Sequence, residues 1–373
     1  MNETLRLGTI WGVRVGVNWS VLVIFTLLLV GLAAGNLPAL SPDRSPVTYA
    51  VAGTAAAIVF FLSLLAHELA HALVAQREGI EVEGITLWLF GGVARLTGEA
   101  ATPGADLRVA GVGPIVSLLL GAVFGTLAIA AAWLGVDTLL VGVLMWLGLI
   151  NVVLAVFNLV PAAPLDGGRI LRALLWWRTG DRTKAAVSAA RAGRGFGFLL
   201  VVVGISSVLF LPGIGLLWFA LIGWFIASAA SAEEQQARIQ HSLQGLTVAD
   251  VMTHDPLTVP PDLPVARLLD EFVLRHRHSA YPVTDGWGRP LGLVTLDRIR
   301  NLEADQRAAV PVSHIAAGKG EVAVADPAEP LIDVLPRLSQ GDRRILVVRD
   351  GFLVGLVTAT DVTRTLEIGD LRG

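Results

Sequence analysis

The sequence predicts a polytopic α-helical membrane protein, with about six transmembrane helices and a carboxy-terminal cytoplasmic α/β domain. Hydrophobic residues make up 54% of the chain and charged residues only 16%. Such a composition is typical of membrane proteins. The apolar blocks all lie before residue 231, whereas the chain from Glu233 onward has the composition of a soluble protein. We therefore expect a membrane domain over residues 1–230 and a linker over 231–245.

Six apolar blocks come close to or exceed the roughly 20 residues that a transmembrane helix needs. The first block is too long for the apolar region of a signal peptide, so we expect it to be retained as a membrane span. Only Pro212 and Gly213 separate the last two blocks. The predicted spans are Val15–Ala34, Tyr49–Ala75, Val109–Leu134, Leu139–Val160, Phe196–Leu211 and Ile214–Ala230.

The distribution of Lys and Arg predicts the orientation in the membrane. Segment 166–194 contains seven of these residues, whereas the loops on the opposite side contain only Arg44. The positive-inside rule places this segment and the amino terminus in the cytoplasm. With an even number of spans, the carboxy terminus lies there too. The compact chain, without a targeting segment, favours the plasma membrane of a bacterium or archaeon.

The motif "HELAH" stands inside an apolar block. His67 and His71 are the only histidines before residue 241, and Glu68 is the only charged residue between Arg44 and Arg77. Residues four apart project from the same face of a helix, so both imidazoles can reach one metal ion. Ionisable groups within a span are costly and usually functional. We therefore predict a metal site here.

A hydrolytic zinc site needs a third protein ligand and an open position for water. Asp137 and Asp166 are the two acidic residues between Arg108 and Arg169. Asp137 lies in a break between apolar blocks on the predicted non-cytoplasmic side, so a loop role explains it more simply. Asp166 follows Pro161 and Pro164, which interrupt the helix, and irregular backbone at membrane depth occurs where it lines a cavity.

Residues 80–98 alternate weakly and are rich in residues that favour strands. They predict a β-hairpin on the cytoplasmic side, with its turn near Gly91 and Gly92. A free strand edge there could pair with an extended peptide. A surface loop is the alternative interpretation.

Two separated motifs carry a family resemblance. "HELAH" in an apolar helix, followed by "FNLVPAAPLDGGR", resembles the site-2 protease family of intramembrane zinc metalloproteases, and "AGVGPIVS" and "LFGGVARL" are similar to other segments of that family. The resemblance implies that His67, His71 and Asp166 bind Zn²⁺ and that Glu68 is the general base. It also implies a single-span regulatory protein in the lipid bilayer as the substrate.

The same resemblance implies that Asn158 orients the substrate backbone or stabilises the tetrahedral intermediate. Asn151 lies two helical turns earlier, on about the same face. Because amides within a span need partners, a structural hydrogen bond between helices is the alternative for both residues.

The soluble half contains an internal repeat, with copies over residues 246–305 and 306–373. Each copy has a short strand, an amphipathic helix, two strands and a closing helix, which resembles a tandem pair of cystathionine-β-synthase (CBS) domains. That family often binds adenosine-containing ligands, and the resemblance implies a nucleotide site (ATP, ADP or AMP) at Thr358 and Asp361. In the first copy Thr295 is present, but Arg298 stands where the aspartate is expected and Asp297 comes one residue early. A module for homodimerisation or docking is the alternative.

The leading hypothesis is a zinc endopeptidase that performs regulated intramembrane proteolysis. A catalytically inactive membrane scaffold and a CBS-gated transporter are the alternatives. A transporter needs several polar residues along a pathway, whereas the spans offer one polar cluster. The net charge of −3 gives no reason to expect a nucleic-acid partner, and the absence of cysteine excludes disulfides and thiolate ligands.

Overall fold

The computed structural model describes residues 4–89, 91–98, 100–210, 217–243, 245–318, 320–338 and 342–370. The chain divides into two compact units, Met1–Ala237 and Arg238–Gly373. Long helices dominate the first unit, and short strands and helices alternate in the second.

Eight helices precede residue 244 in the described part of the chain. A π-helical turn, Leu32–Asn36, joins the first two. Ser45 and Thr102 accept hydrogen bonds from backbone N–H groups at the starts of the third and fourth, as N-cap residues do. The helices are α1 Val21–Gly31, α2 Leu37–Leu40, α3 Pro46–Arg77, α4 Pro103–Trp133, α5 Thr138–Asn158, α6 Asp166–Thr179, α7 Arg182–Phe210 and α8 Leu217–Leu243.

Among the described residues, five helical segments are long and apolar enough to cross a membrane. They are Val21–Leu40, Pro46–Arg77, Pro103–Trp133, Thr138–Asn158 and Arg182–Ser207. The sixth predicted span falls on residues 214–230. Residues 214–216 lie outside the described part, and the rest is the first half of α8, which continues into a polar segment. A sixth span therefore remains a prediction.

Four strands of the first unit form one sheet in the order β1-β2-β3-β4. The outer pairs β1–β2 and β3–β4 are antiparallel, and β2 pairs with β3 in parallel. The strands are β1 Leu5–Ile10, β2 Val13–Val17, β3 Glu81–Trp88 and β4 Gly91–Thr97. The predicted hairpin over 80–98 is thus present. Its turn lies near the predicted position, since Trp88 pairs with Gly91 and the connection between the two strands comes directly before Gly91.

The predicted start of the first span was also wrong. Val15 and Val17 belong to β2, and the helix begins at Val21. Val15 is buried in a core that includes Ile85 of β3 and Leu69 of α3. The partner strand lies about 70 residues away along the chain, so local apolar composition did not distinguish this strand from a span.

Small residues bring α4 and α5 into close contact. A Cβ atom added at Gly148 would lie 3.1 Å from the backbone nitrogen of Gly125 and 3.2 Å from the carbonyl oxygen of Gly121. Membrane helices commonly associate through such small residues, which allow the two backbones to approach.

The second unit contains two sheets. The strands are β5 Thr253–His254, β6 Ala280–Thr284, β7 Pro290–Thr295, β8 Ala317–Gly318, β9 Ala323–Ala325, β10 Arg344–Arg349 and β11 Phe352–Thr358. One sheet has three strands in the order β6-β7-β8, and the other is a mixed four-stranded sheet in the order β5-β11-β10-β9. The helices are α9 Val248–Val251, α10 Val265–Arg267, α11 Leu274–His276, α12 Leu296–Arg300, α13 Val312–Ile315, α14 Leu331–Leu338 and α15 Ala359–Asp370, and a π-helical turn Leu268–Val273 joins α10 to α11.

The two sequence repeats exchange short strands. β5 precedes the first repeat's main helix but pairs with β11 of the second repeat, and β8 of the second repeat pairs with β7 of the first. In the first repeat, an isolated parallel bridge also joins Val259 to Val283 of β6. The exchange links the two repeats within this unit.

Candidate metal centre

Two histidines of α3 face the same side of the helix, one turn apart. The Nε2 atoms of His67 and His71 are 3.1 Å apart. Both side chains are buried. The i, i+4 spacing produces this arrangement, since such residues project from one face.

Asp166 is the first residue of α6 and points to the same place. Its Oδ2 atom lies 3.2 Å from Nε2 of His67 and 3.2 Å from Nε2 of His71. Among the described residues, these three side chains form a group that could hold a metal ion, with candidate ligand atoms all within 4.8 Å of one another.

Residues of α4 contact the Nδ1 atoms of both histidines and so fix the orientation of the two rings. His71 Nδ1 lies 2.6 Å from the backbone carbonyl oxygen of Val109, and His67 Nδ1 lies 2.9 Å from the hydroxyl of Ser117. A carbonyl oxygen can only accept a hydrogen bond, so Nδ1 of His71 is the donor, and Nε2 is the nitrogen that the neutral imidazole offers to a metal. Hydrogen bonding of the second ring nitrogen is the usual support of a metal-binding histidine.

Gly113 allows this helix to approach the histidines. A Cβ atom at this position would overlap Nε2 of His71 and lie 2.6 Å from Nε2 of His67. Sequence reasoning missed the contributions of Val109, Gly113 and Ser117. The feature of the sequence that could have predicted these contacts is the spacing of these residues along one face of an apolar helix.

The segment between α5 and α6 turns sharply to bring Asp166 to the histidines. α5 ends at Asn158 and α6 begins at Asp166, as expected from Pro161 and Pro164. Cβ atoms added to the two glycines that follow Asp166 would overlap the backbone of residues 159–163. The Asp-Gly-Gly sequence therefore permits a turn that larger residues would block.

Glu68 lies beside the histidines and beneath the sheet. The backbone of Gly92 lies against its carboxylate. A Cβ atom on Gly92 would overlap the Glu68 side chain. The start of β4 thus passes directly over this carboxylate.

The donor set fits a catalytic zinc site. Two imidazole nitrogens and one carboxylate oxygen make three protein ligands, which leaves a position for water or substrate. The orientation of His71 supports this assignment, because Nδ1 bonds to the Val109 carbonyl and Nε2 is the atom directed toward Asp166.

Comparison with known proteins agrees with this geometry. Peptidase family M50 matches residues 55–135 and 135–203, and the CBS domain matches residues 248–305 and 313–368. "Putative zinc metalloprotease Rip3" of Mycobacterium tuberculosis is 44% identical over 370 residues, which cover 99% of this chain and 94% of that protein. The chain belongs to peptidase family M50, the site-2 proteases.

Other M50 relatives match along the chain. "Zinc metalloprotease MJ0392" of Methanocaldococcus jannaschii is 28% identical over 372 residues, with 100% of this chain and 98% of that protein covered. A solved site-2 protease from the same organism is 27% identical and covers 62% of this chain and 94% of its own, with a TM-score of 0.43. The family matches, the 44% identical relative and the five long apolar helices identify the M50 chain as a multi-pass membrane zinc metalloprotease with a carboxy-terminal CBS pair.

The two asparagines of this M50 protease bond within their own helix. Asn158 Nδ2 donates to the carbonyl of Leu154, and Asn151 Nδ2 donates to the carbonyl of Leu147. Asn158 is half-buried and Asn151 is fully buried. Within the described part of the chain, Oδ1 of Asn151 has no hydrogen-bond partner. Neither amide nitrogen makes the hydrogen bond between helices that was the alternative interpretation.

The CBS repeats of the M50 chain differ at their threonine motifs. In the second repeat, Oδ2 of Asp361 accepts hydrogen bonds from the backbone N–H and the hydroxyl of Thr358, at 2.9 and 2.7 Å. In the first repeat Thr295 caps α12. Arg298 contacts Glu321 and Asp342 instead. Arg298 occupies the position that Asp361 has in the second repeat, and its guanidinium is already paired with two carboxylates.

Proposed function

We propose that this M50 protease cleaves a transmembrane segment of a membrane-anchored regulatory protein, as a step of regulated intramembrane proteolysis. His67, His71 and Asp166 hold the zinc ion, and Glu68 is the general base. One observation carries the proposal: the side chains of His67, His71 and Asp166 converge on one place, next to Glu68, in a unit built of long apolar helices.

Zinc, when bound, polarises the scissile carbonyl and lowers the pKa of water. Glu68 accepts the proton of the attacking water and delivers it to the departing amine. The close approach of Gly92 restricts the carboxylate to one orientation for both transfers. Asn158 orients the substrate backbone after its amide leaves the Leu154 carbonyl.

β4 is the strand on which the substrate lies. It stands at one edge of the four-stranded sheet, and its first residues cover Glu68. A transmembrane helix must unwind before hydrolysis, because its peptide bonds are shielded within the helix. Pairing with a strand edge provides main-chain hydrogen bonds to the extended segment.

The CBS pair binds an adenine nucleotide and modulates cleavage. Thr358 and Asp361 form the better-supported site, and Thr295 belongs to a second, incomplete one. The pair also serves as a homodimer contact. The protein lies in the plasma membrane with both termini in the cytoplasm, since the basic segment 166–194 favours the cytoplasmic side and the predicted sixth span returns the chain to that side.

Zinc content per chain tests the metal site without knowledge of the substrate. Detergent-purified full-length protein is compared with Asp166→Ala. We expect about one zinc per wild-type chain and a large loss in the variant, because two histidines alone leave the coordination incomplete. Zinc retained at the wild-type level in Asp166→Ala would reject the third ligand.

Glu68→Ala separates a protease from a scaffold. We expect this variant to retain zinc but to lose the new peptide termini that the wild-type protein generates in the membrane fraction of expressing cells. Equal sets of termini in wild-type and Glu68→Ala cells would favour the scaffold or transporter interpretation.

A further inference from the structure

A buried ion pair joins α4 to α6, the helix that begins with Asp166. Nε and Nη2 of Arg172 donate to the two carboxylate oxygens of Asp106 at 2.9 and 2.8 Å. Asp106 is fully buried, and the side chain of Arg172 is 16% exposed. Arg169 of the same helix places Nη2 3.6 Å from this carboxylate. The proposed mechanism uses none of these groups.

One face of α4 contacts every segment that carries a zinc ligand. Asp106, Val109, Gly113 and Ser117 recur every three or four residues and therefore share that face. The last three contact the histidines of α3, and Asp106 holds α6. The ion pair thus places Asp166 relative to the same helix that orients His67 and His71.

The geometry of the pair suits this task. Two parallel N–H···O bonds between a guanidinium and a carboxylate define direction as well as distance. They restrain both the rotation and the axial register of α6 against α4. A third contact, from Nη1 of Arg172 to Glu233 of α8 at 3.7 Å, is longer and more exposed.

We propose that Asp106 and Arg172 are positioning residues for the zinc ligand Asp166, and that they set the affinity and coordination geometry of the metal site. The inference rests on the ligand assignment in the proposed function. It predicts that loss of the pair alters zinc binding in protein that is still folded.

The test measures zinc affinity by chelator competition in full-length, detergent-purified, monodisperse protein. Asp106→Asn and Arg172→Gln are expected to weaken zinc binding about 10- to 100-fold, the range for loss of groups that orient a metal ligand. The pair exerts this effect on Asp166 through α6. Cobalt-substituted protein should show a shifted visible absorption spectrum, since the carboxylate moves relative to the imidazoles. Arg172→Lys keeps the cation but lacks the paired donors, and should weaken zinc binding about tenfold.

The Glu78–Arg108 pair offers a matched control. Its two hydrogen bonds, of 2.7 and 2.8 Å, also join a carboxylate to an arginine of α4. The side chain of Arg108 is 60% exposed, and exposed pairs contribute little. Glu78→Gln should therefore stay within about twofold of wild-type zinc affinity, as expected for such a surface pair.

Wild-type affinity and an unshifted cobalt spectrum in folded Arg172→Lys or Asp106→Asn would overturn the inference. So would an equal loss in Glu78→Gln, which would show a general effect of helix stability. Arg172→Lys keeps the buried aspartate paired, so it decides the question if the other variants do not fold. Absence of zinc from the wild type would reject the ligand assignment itself and the inference with it.

Discussion

At the scale of single residues, the hydrogen-bond partner of Nδ1 fixes the orientation of each imidazole and thereby the direction in which Nε2 points. Ser117 is fully buried on α4 and bonds to His67. Its hydroxyl can donate or accept, so it adapts to the imidazole tautomer that exposes Nε2 for a metal. Ser63 is similarly buried on α3 but bonds to the carbonyl of Val59 in its own helix.

Ser117→Ala should weaken zinc binding about 10-fold or more, because His67 loses its orienting partner. Chelator competition on the purified protein provides the measurement. Ser63→Ala is the control and should bind zinc as the wild type does. Equal affinities in the two variants would contradict a role for Ser117.

Gly92 leaves room for the Glu68 side chain because it has no Cβ atom. An added Cβ would overlap the glutamate side chain, so Gly92→Ala should displace the general base and abolish cleavage while zinc content stays near the wild-type level. Zinc analysis and the appearance of new peptide termini in membranes are measured together. Gly111→Ala is the control, since a Cβ there meets open space. Wild-type cleavage by Gly92→Ala would contradict the assigned position of Glu68.

At the scale of secondary-structure elements, α4 organises the membrane unit. It contacts the histidines on one face and packs against α5 through glycines farther along the helix. A substitution at the α4–α5 contact should therefore act on stability first.

Gly148→Val should destabilise the protein by about 1–3 kcal/mol, because the larger side chain forces two close backbones apart. Thermal unfolding in detergent measures the effect. Gly125→Ala lies across the same contact, but its own Cβ would meet open space, so it should unfold close to the wild-type temperature. A similar shift in both variants would argue against close packing at Gly148.

At the scale of the whole molecule, the two CBS repeats are not equivalent. Asp361 and Thr358 form a carboxylate–hydroxyl pair in the second repeat. The first repeat holds Arg298 between Glu321 and Asp342. This asymmetry predicts one nucleotide site per chain.

Asp361→Ala should weaken ATP or AMP binding about 10- to 100-fold, the range expected when hydrogen bonds to a charged group are lost. Calorimetric titration of the full-length protein measures both affinity and stoichiometry. Asp297→Ala is the matched control from the first repeat and should bind as the wild type does. Two nucleotides per wild-type chain would contradict the predicted asymmetry.

The amino-acid sequence by itself determined the membrane class, the CBS repeat and the candidate ligands. Each of these depends on local information: the length of apolar blocks, similarity between two segments, and histidines four residues apart in a chain region with one charged residue. The turn that carries Asp166 was predictable because two prolines three residues apart, Pro161 and Pro164, each remove a backbone N–H and disfavour a continuous helix.

Only the tertiary structure decided which groups meet across the fold. β2 belongs to a sheet rather than to the first span because it pairs with β3. Ser117 meets His67 across 50 residues, and Arg172 meets Asp106 across 66. Local periodicity reports which face of a helix is apolar, but the partner that packs on that face depends on how distant elements are placed. The orientation of the metal ligands is therefore a property of the assembled helices and of α4 above all.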